Sequence, residues 1–319
     1  MASFQQGFSK FVEHCDGISV YFVDNSNEVY DSDIDSTALA NFRTSFCEQL
    51  RSNYTENDNF SLLGLSNYDE RKGALFQYDF SKAEMPFDFK LTEQVLSFKA
   101  TDEVPVYQAK HDKLNNIRAS IVLLTSSSLN KSIAFFQYIY PVALLGSDKG
   151  MLNITTHDTR LIELEQDVLK LNANFVFMQI SDKYFVENVN ALETRLHFKE
   201  VIHKRAQAYA KNIEDLGLVE DMTKFNDRIA KETSFARKLV KVYKNSVVIK
   251  ESVPNKDIVQ FAMSKSYYSE SMKATDAGDS FQLDSIVRCK RFVELLDDDF
   301  LKSELTNRNY IARAKDLVK

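Results

Sequence analysis

Several short stretches of this chain carry residue types that bind metals or move protons. Leu295–Tyr310 reads LLDDDFLKSELTNRNY, with Asp297, Asp298 and Asp299 directly after two leucines. Carboxylates ligate hard cations, but only where several oxygens converge on one ion. Successive helical residues point about 100° apart, so three in a row do not converge. The triplet reads better as a helix end after Leu296, with one Asp capping a short helical segment over Phe300–Glu304. Asp31-Ser32-Asp33-Ile34-Asp35 opens like a calcium loop. Ser36 and Phe42 then stand where such a loop has Gly and a bidentate Glu, so a solvated acidic loop is expected. Glu200 and His203 lie at i, i+3, the element that di-iron bundles use twice, but no second Glu-x-x-His occurs. Asp88-Phe89-Lys90 and Gln108-Ala109-Lys110 match only the short acid-x-Lys end of a nuclease centre. HExxH, GxxxxGK and GxSxG are all missing. No catalytic residue, metal or cofactor is assigned from these motifs.

The cations are the stronger feature. Arg237, Lys238, Lys241 and Lys244 cluster, as do Arg288, Lys290 and Arg291, and Lys204 with Arg205 forms a smaller pair. Exposed Lys and Arg are what phosphate contacts require, and such contacts carry no base specificity. The charge is also unevenly spread. Through Asn190 the chain has 16 Lys and Arg against 26 Asp and Glu; from Ala191 onward it has 24 against 20. An acidic half joined to a basic half fits an anionic partner at one end of the molecule. Charge pairing along solvated helices, with no partner, explains the same pattern.

The elements that must position these residues change type along the chain. Ile18–Val23, Gly73–Phe80, Arg118–Thr125, Ser132–Tyr138, Arg160–Leu164 and Phe175–Ile180 have the β-branched and aromatic content of strands. Hairpin connections are expected at Ser126–Lys131 and at Ser181–Lys183. Thr37–Arg51 has apolar residues at Leu39, Phe42, Phe46 and Leu50, which predicts an amphipathic helix, with Ser36 placed to cap it. Consecutive strands without regular intervening helices favour an antiparallel or mixed sheet. From residue 191 the period becomes helical. Lys224–Lys244 puts Phe225, Ile229, Ala236, Leu239 and Tyr243 on one face and Arg237, Lys241 and Lys244 on another. Ile286, Cys289, Val293 and Leu296 predict a buried helix over Leu283–Leu296. A final helix is expected over Asn307–Val318, capped by Thr306. The expected fold is α+β: a sheet domain with helices over residues 1–190, then a basic helical domain over 191–319.

Composition narrows the class. The chain has 319 residues, 44 % apolar, with 24 Phe and 14 Tyr, enough for packed cores; 8 Gly and 4 Pro argue against disorder. Cys15, Cys47 and Cys289 form no disulfide framework and no metal knuckle by spacing. Ser132–Gly146 is too short for a spanning helix and holds Pro141. The N-terminus lacks the apolar core of a signal peptide. A soluble, intracellular protein is expected.

Leu295–Thr306, with Tyr310 and Lys315, resembles the closing signature of the KwaB-like family, cytoplasmic components of the Kiwa anti-phage defence system. Ile133–Gly146, Asn174–Glu187 and Phe235–Asn245 (FARKLVKVYKN) are similar to that family's earlier segments, in the same order. The resemblance covers most of the chain after about residue 110. It implies a dimeric effector that binds double-stranded phage DNA without sequence specificity and blocks its replication and expression. It also implies a membrane partner, KwaA, that holds the effector at the inner membrane. It supplies no catalytic motif. The DNA-binding expectation for Arg237, Lys238, Lys241, Lys244, Lys204, Arg205, Arg288, Lys290 and Arg291 rests on their charge. A metal-dependent nuclease and a structural adaptor for the membrane partner are the competing expectations.

Overall fold

A computed structural model describes residues 2–68, 71, 73–99, 101–108, 114–140, 144–145, 154–157, 160–163, 168–302 and 309–311. The chain divides into two compact units: residues 1–63, 73–78 and 85–196, and residues 64–72, 79–84 and 197–319.

The first unit is built on strands. In chain order it contains α1 (Ala2–Glu13), β1 (Gly17–Asp24), β2 (Val29–Asp31), α2 (Ser36–Leu50), β3 (Ser61–Gly64), β4 (Ala74–Gln77), α3 (Phe87–Ser97), β5 (Ile117–Ser126) and β6 (Lys131–Tyr138). Short strands β7 (Leu144–Leu145), β8 (Ile154–His157), β9 (Arg160–Glu163) and β10 (Val168–Leu169) follow, and β7 pairs with β10 and β8 with β9. Then come β11 (Phe177–Ile180), β12 (Lys183–Val186) and α4 (Val189–Arg195). The main sheet has eight strands in the order β2-β1-β5-β6-β11-β12-β4-β3. The hairpins β5–β6 and β11–β12 form where the strand patterns end, and Asn130 and Ser181 take positive φ in their turns.

Both faces of this sheet are covered, which explains the near-continuous apolar runs of β5 and β6. On one face Phe135, Met178 and Phe185 form a cross-strand row beneath α1 and α2. Phe46 meets Phe135 at 5.0 Å, and Phe4 meets Phe185 at 5.0 Å. On the other face Phe136 stacks on Phe177 at 5.0 Å, and Phe89 of α3 lies 4.4 Å from Phe177 and 4.2 Å from Tyr184. Asp35 rather than Ser36 caps α2: its carboxylate accepts from the Thr37 and Ala38 amides. A carboxylate at that position also suits the helix dipole.

The second unit is helical. It contains α5 (Phe198–Asp215), α6 (Thr223–Lys231), α7 (Thr233–Asn245), α8 (Val247–Lys250), α9 (Asn255–Ser264), α10 (Ser266–Ser269) and α11 (Ile286–Leu296), then β13 (Phe300–Lys302) and β14 (Asn309–Ile311). An α+β sheet region followed by a helical region is therefore the observed architecture, as the strand and helix patterns imply. The Lys224–Lys244 stretch departs from a single helix. It breaks at Glu232, whose extended backbone separates α6 from α7, and Phe225 packs against Phe235 across the break at 5.2 Å. In α11, Cys289, Val293 and Leu296 are buried as expected, but Ile286 at the first turn is 55 % exposed.

The segment after the three aspartates is also different from expectation. Helix α11 does end at Leu296, and Asp298 turns the chain with φ 54°. Phe300–Lys302 is then a strand, paired antiparallel with Asn309–Ile311. The expected helices over Phe300–Glu304 and Asn307–Val318 are replaced there by a hairpin; their other residues lie outside the described residues. Phe300 packs near Tyr268 at 6.0 Å and near Phe261 at 6.3 Å, contacts that a strand reaches by pointing alternate side chains inward.

Candidate nucleic-acid interface

The cations named from the sequence all lie in the helical unit, on α5, α7 and α11. Helix α7 is central to that unit, since α5, α6 and α11 all pack on it. Its apolar stripe of Phe235, Ala236, Leu239 and Val242 is buried. Arg237, Lys241 and Lys244 recur at i, i+4 and i+7 and so share another face.

Most of these cations already hold a carboxylate. Five of the nine are ion-paired: Arg205 with Glu84, Lys238 with Asp299, Lys244 with Asp79, Arg288 with Asp284 and Arg291 with Glu294. The Arg205 guanidinium donates to both oxygens of Glu84, at 3.0 and 2.5 Å, and lies over the Phe80 ring at 4.5 Å. The hydrogen bond from Arg205 holds the Glu84 carboxyl below its ordinary range, and Glu84 in turn raises the guanidinium. Lys244 donates to Asp79 at 2.6 Å and to the Ser66 hydroxyl at 2.7 Å. Burial pushes the Asp79 carboxyl up, but the bonds from Lys244 and Ser66 outweigh it and leave the group below its ordinary value. Arg291 is enclosed by Glu294 and Tyr267 and sits over the Tyr267 ring at 4.0 Å.

Lys238 reaches the third aspartate of the triplet. Its ammonium donates to Asp299 Oδ2 at 2.8 Å; the carboxylate side chain is 0 % exposed and the lysine 32 %. A buried carboxylate is tolerated when a cation is brought to it. Asp299 is thus a structural anchor for α7, and the triplet does not act as one unit. Asp297 closes α11, Asp298 turns the chain, and Asp299 is taken inside.

Arg237 lies over the Tyr68 ring at 4.8 Å. Lys204, Lys241 and Lys290 have no ion pair among the described residues. Lys204 and Lys290 are exposed, and Lys241 is half-buried. Lys204 also lowers the Glu84 carboxyl by its charge, so the Arg205 cluster carries one more cation than anions. Phosphate contacts call for cations of this kind, with no internal carboxylate to satisfy them.

The carboxylates that hold Arg205 and Lys244, and the ring under Arg237, come from two excursions of the chain out of the sheet region. Gly64–Lys72 supplies Ser66, Asn67 and Tyr68, and Asp79–Glu84 supplies Asp79, Phe80 and Glu84. Asn245 at the end of α7 donates to Asn67 at 2.5 Å. These residues carry no helical period and no motif, and no local pattern in the sequence marks them as partners of α5 and α7.

The other chemistry-bearing motifs take structural roles. Asp88 is nearly buried and accepts from Arg118 at 2.7 Å. The His203 ring lies 2.9 Å from the Thr233 hydroxyl. Among the described residues no group of three or more His, Cys, Asp or Glu is placed to hold a metal ion. None of the described helices is long and apolar enough to cross a membrane.

Residues 114–306 match the family described as Kiwa protein KwaB-like. The chain belongs to that family. Kiwa protein KwaB of Escherichia coli O55:H7 (strain RM12579 / EPEC) is 28 % identical over 313 residues, covering 98 % of this chain and 97 % of the relative. No solved structure matches. The match to the KwaB-like family takes in β5, β6, the β11–β12 hairpin and every helix from α4 to α11. It therefore spans part of the sheet and all three cation-bearing helices.

Proposed function

We propose that the chain is the DNA-engaging component of a Kiwa anti-phage defence system. In this reading it binds double-stranded phage DNA through phosphates, without sequence specificity, and blocks replication and expression. It works as a homodimer with the membrane protein KwaA, which brings it to the inner membrane. Membership in the KwaB-like family supports the defence role. The observation that supports DNA as the ligand is the surplus of cations in the helical unit that internal carboxylates do not consume: Lys204, Lys241 and Lys290.

The test is fluorescence anisotropy with duplex DNA at rising salt, on the protein alone and with KwaA. Log K should fall linearly with log salt, with a slope of about −0.9 per phosphate neutralised. The Lys204→Glu/Lys241→Glu/Lys290→Glu variant should lose that slope and the affinity. Absent or salt-insensitive binding, alone and with KwaA, overturns the proposal.

One observation favours a second reading. Ion pairing of Arg205, Lys238, Lys244, Arg288 and Arg291 makes their charge structural, as a KwaA adaptor that never touches DNA would allow. The adaptor predicts that reversing Arg237 and Lys241 leaves phage protection intact. Chelator-sensitive cleavage of DNA with Mg²⁺ or Mn²⁺ would instead favour a nuclease.

A further inference from the structure

The sheet unit contains a groove of about 930 Å³ at the tips of the β5–β6 and β11–β12 hairpins. Residues of α1 and of α3 (Leu96, Ser97) both line it, so the groove wraps the hairpin tips and its volume is shared between the two faces of the sheet. One wall is helix α1, which turns Phe4, Gly7, Phe8 and Phe11 toward it. The floor is formed by Phe185, Ile133 and Ile180. Phe4 is only half-buried although it touches Phe8, Phe60 and Phe185 at 5.7, 5.9 and 5.0 Å, so its ring borders open space.

Strand register puts two cations on the same side as this apolar floor. Ile133 pairs with Ile180, and Ile180 with Lys183, so the three side chains share a face. Lys131 lies two residues before Ile133 and Phe185 two after Lys183, which keeps both on that face. Both lysines line the groove and are exposed, and neither has an ion pair among the described residues. Of the groove's two acids, Glu93 reaches it from α3 on the opposite face and already accepts the Tyr184 hydroxyl at 2.5 Å. Asp182 sits in the exposed turn. The α1 side of the groove is therefore aromatic below and cationic at its rim.

Gly7 adds an independent observation. Glycine inside a helix costs about 1 kcal/mol relative to alanine. A Cβ at Gly7 would meet nothing within 4 Å, so packing does not demand the glycine. Position 7 of α1 therefore borders the open space of the groove beside Phe4 and Phe8.

We propose that this groove binds a single-chain amphiphile with an anionic head. Its acyl chain lies against Phe4, Leu62 and Ile180, the partly exposed apolar residues of the α1 side, and its carboxylate or phosphate lies between Lys131 and Lys183. The site is independent of the cations assigned to DNA, which belong to the other unit. Such a ligand can come free from solution or from the lipids of a bilayer.

Calorimetric titration of the full chain with oleate below its micellar concentration provides the test, with oleyl alcohol as the neutral-headed analogue. Oleate should saturate one site, and the alcohol should bind about tenfold more weakly or less, as loss of one charge-assisted contact requires. Lys131→Glu/Lys183→Glu should weaken oleate by a similar factor or more. Gly7→Phe should fill the groove and abolish binding, while Gly7→Ala should keep it and raise the melting temperature. Circular dichroism and melting curves show whether each variant is folded. Flotation with phosphatidylglycerol vesicles separates the sources: capture lost in Gly7→Phe points to a membrane lipid, and oleate binding without vesicle capture points to a free one. No saturable oleate binding, or binding that survives both Gly7→Phe and the lysine reversal, overturns the proposal.

Discussion

The two units handle charge in opposite ways. The sheet unit belongs to the acidic half, but its buried interior is aromatic, and its one described arginine–carboxylate pair, Arg118 with Asp88, joins β5 to α3. The helical unit belongs to the basic half, yet it spends much of that charge holding itself together. Lys238 goes to Asp299, Lys244 to Asp79 and Arg205 to Glu84. A positive count is therefore not a positive surface. The cations that remain for an external anion are a subset, set by which carboxylates the fold delivers.

Substitutions in the two cores should break this comparison most strongly. Phe135→Ala in the sheet unit removes a fully buried ring and should destabilise that unit by about 4 kcal/mol in urea titration. Lys238→Ala leaves Asp299 buried without its cation, and should cost about 3 kcal/mol. A loss of less than about 1 kcal/mol would show that Lys238 is a surface cation after all. The DNA reading is sharpened next. Each of Lys204, Lys241 and Lys290, replaced by Gln, should reduce the salt slope by about 0.9 if it meets a phosphate. Arg205→Gln should leave the slope unchanged, because its guanidinium is held by both oxygens of Glu84 and lies over the Phe80 ring.

A smaller effect concerns pH. Asp79 has a folded carboxyl below its ordinary value of 3.8, because the Lys244 and Ser66 bonds overcome burial. A depressed carboxyl stabilises the fold above its unfolded value and loses that contribution as pH falls through the folded one. Acidification from about pH 5 to about pH 3 should therefore destabilise the native protein more than Asp79→Asn. The smallest effect is expected from Asp284→Ala, which removes an exposed i, i+4 pair worth about 0.3–0.5 kcal/mol.

Legibility in the sequence followed the range of each interaction. Strands β5 and β6 were readable because both their faces are buried, so their centres, Ile121–Leu124 and Ile133–Phe136, are unbroken apolar runs. The start of α2 was readable to within one residue, since Asp35 and Ser36 are both good caps and only the backbone chooses between them. The break at Glu232 was not readable, because the apolar period runs on from Ile229 to Ala236 as if one helix continued. Phe300–Lys302 and Asn309–Ile311 were misread as helical because three-residue strands are too short to show a period of two. The nine cations of the candidate nucleic-acid interface were named from the sequence, but their partners were not, and neither were Lys131 and Lys183. Glu84 lies 121 positions from Arg205, and Asp79 lies 165 from Lys244.

By itself the sequence determined what depends on neighbours a few positions apart: a sheet region followed by helices, the hairpin turns, the cation stripe of α7 and the order of segments shared with the KwaB-like family. Tertiary structure alone decided which charges remain available. A lysine is a lysine at any position, but its free energy depends on what the fold brings within 3 Å of it. Asp299 takes Lys238 and Asp79 takes Lys244, while Lys131 and Lys183 are brought to one rim by strand pairing, with no carboxylate to hold them among the described residues.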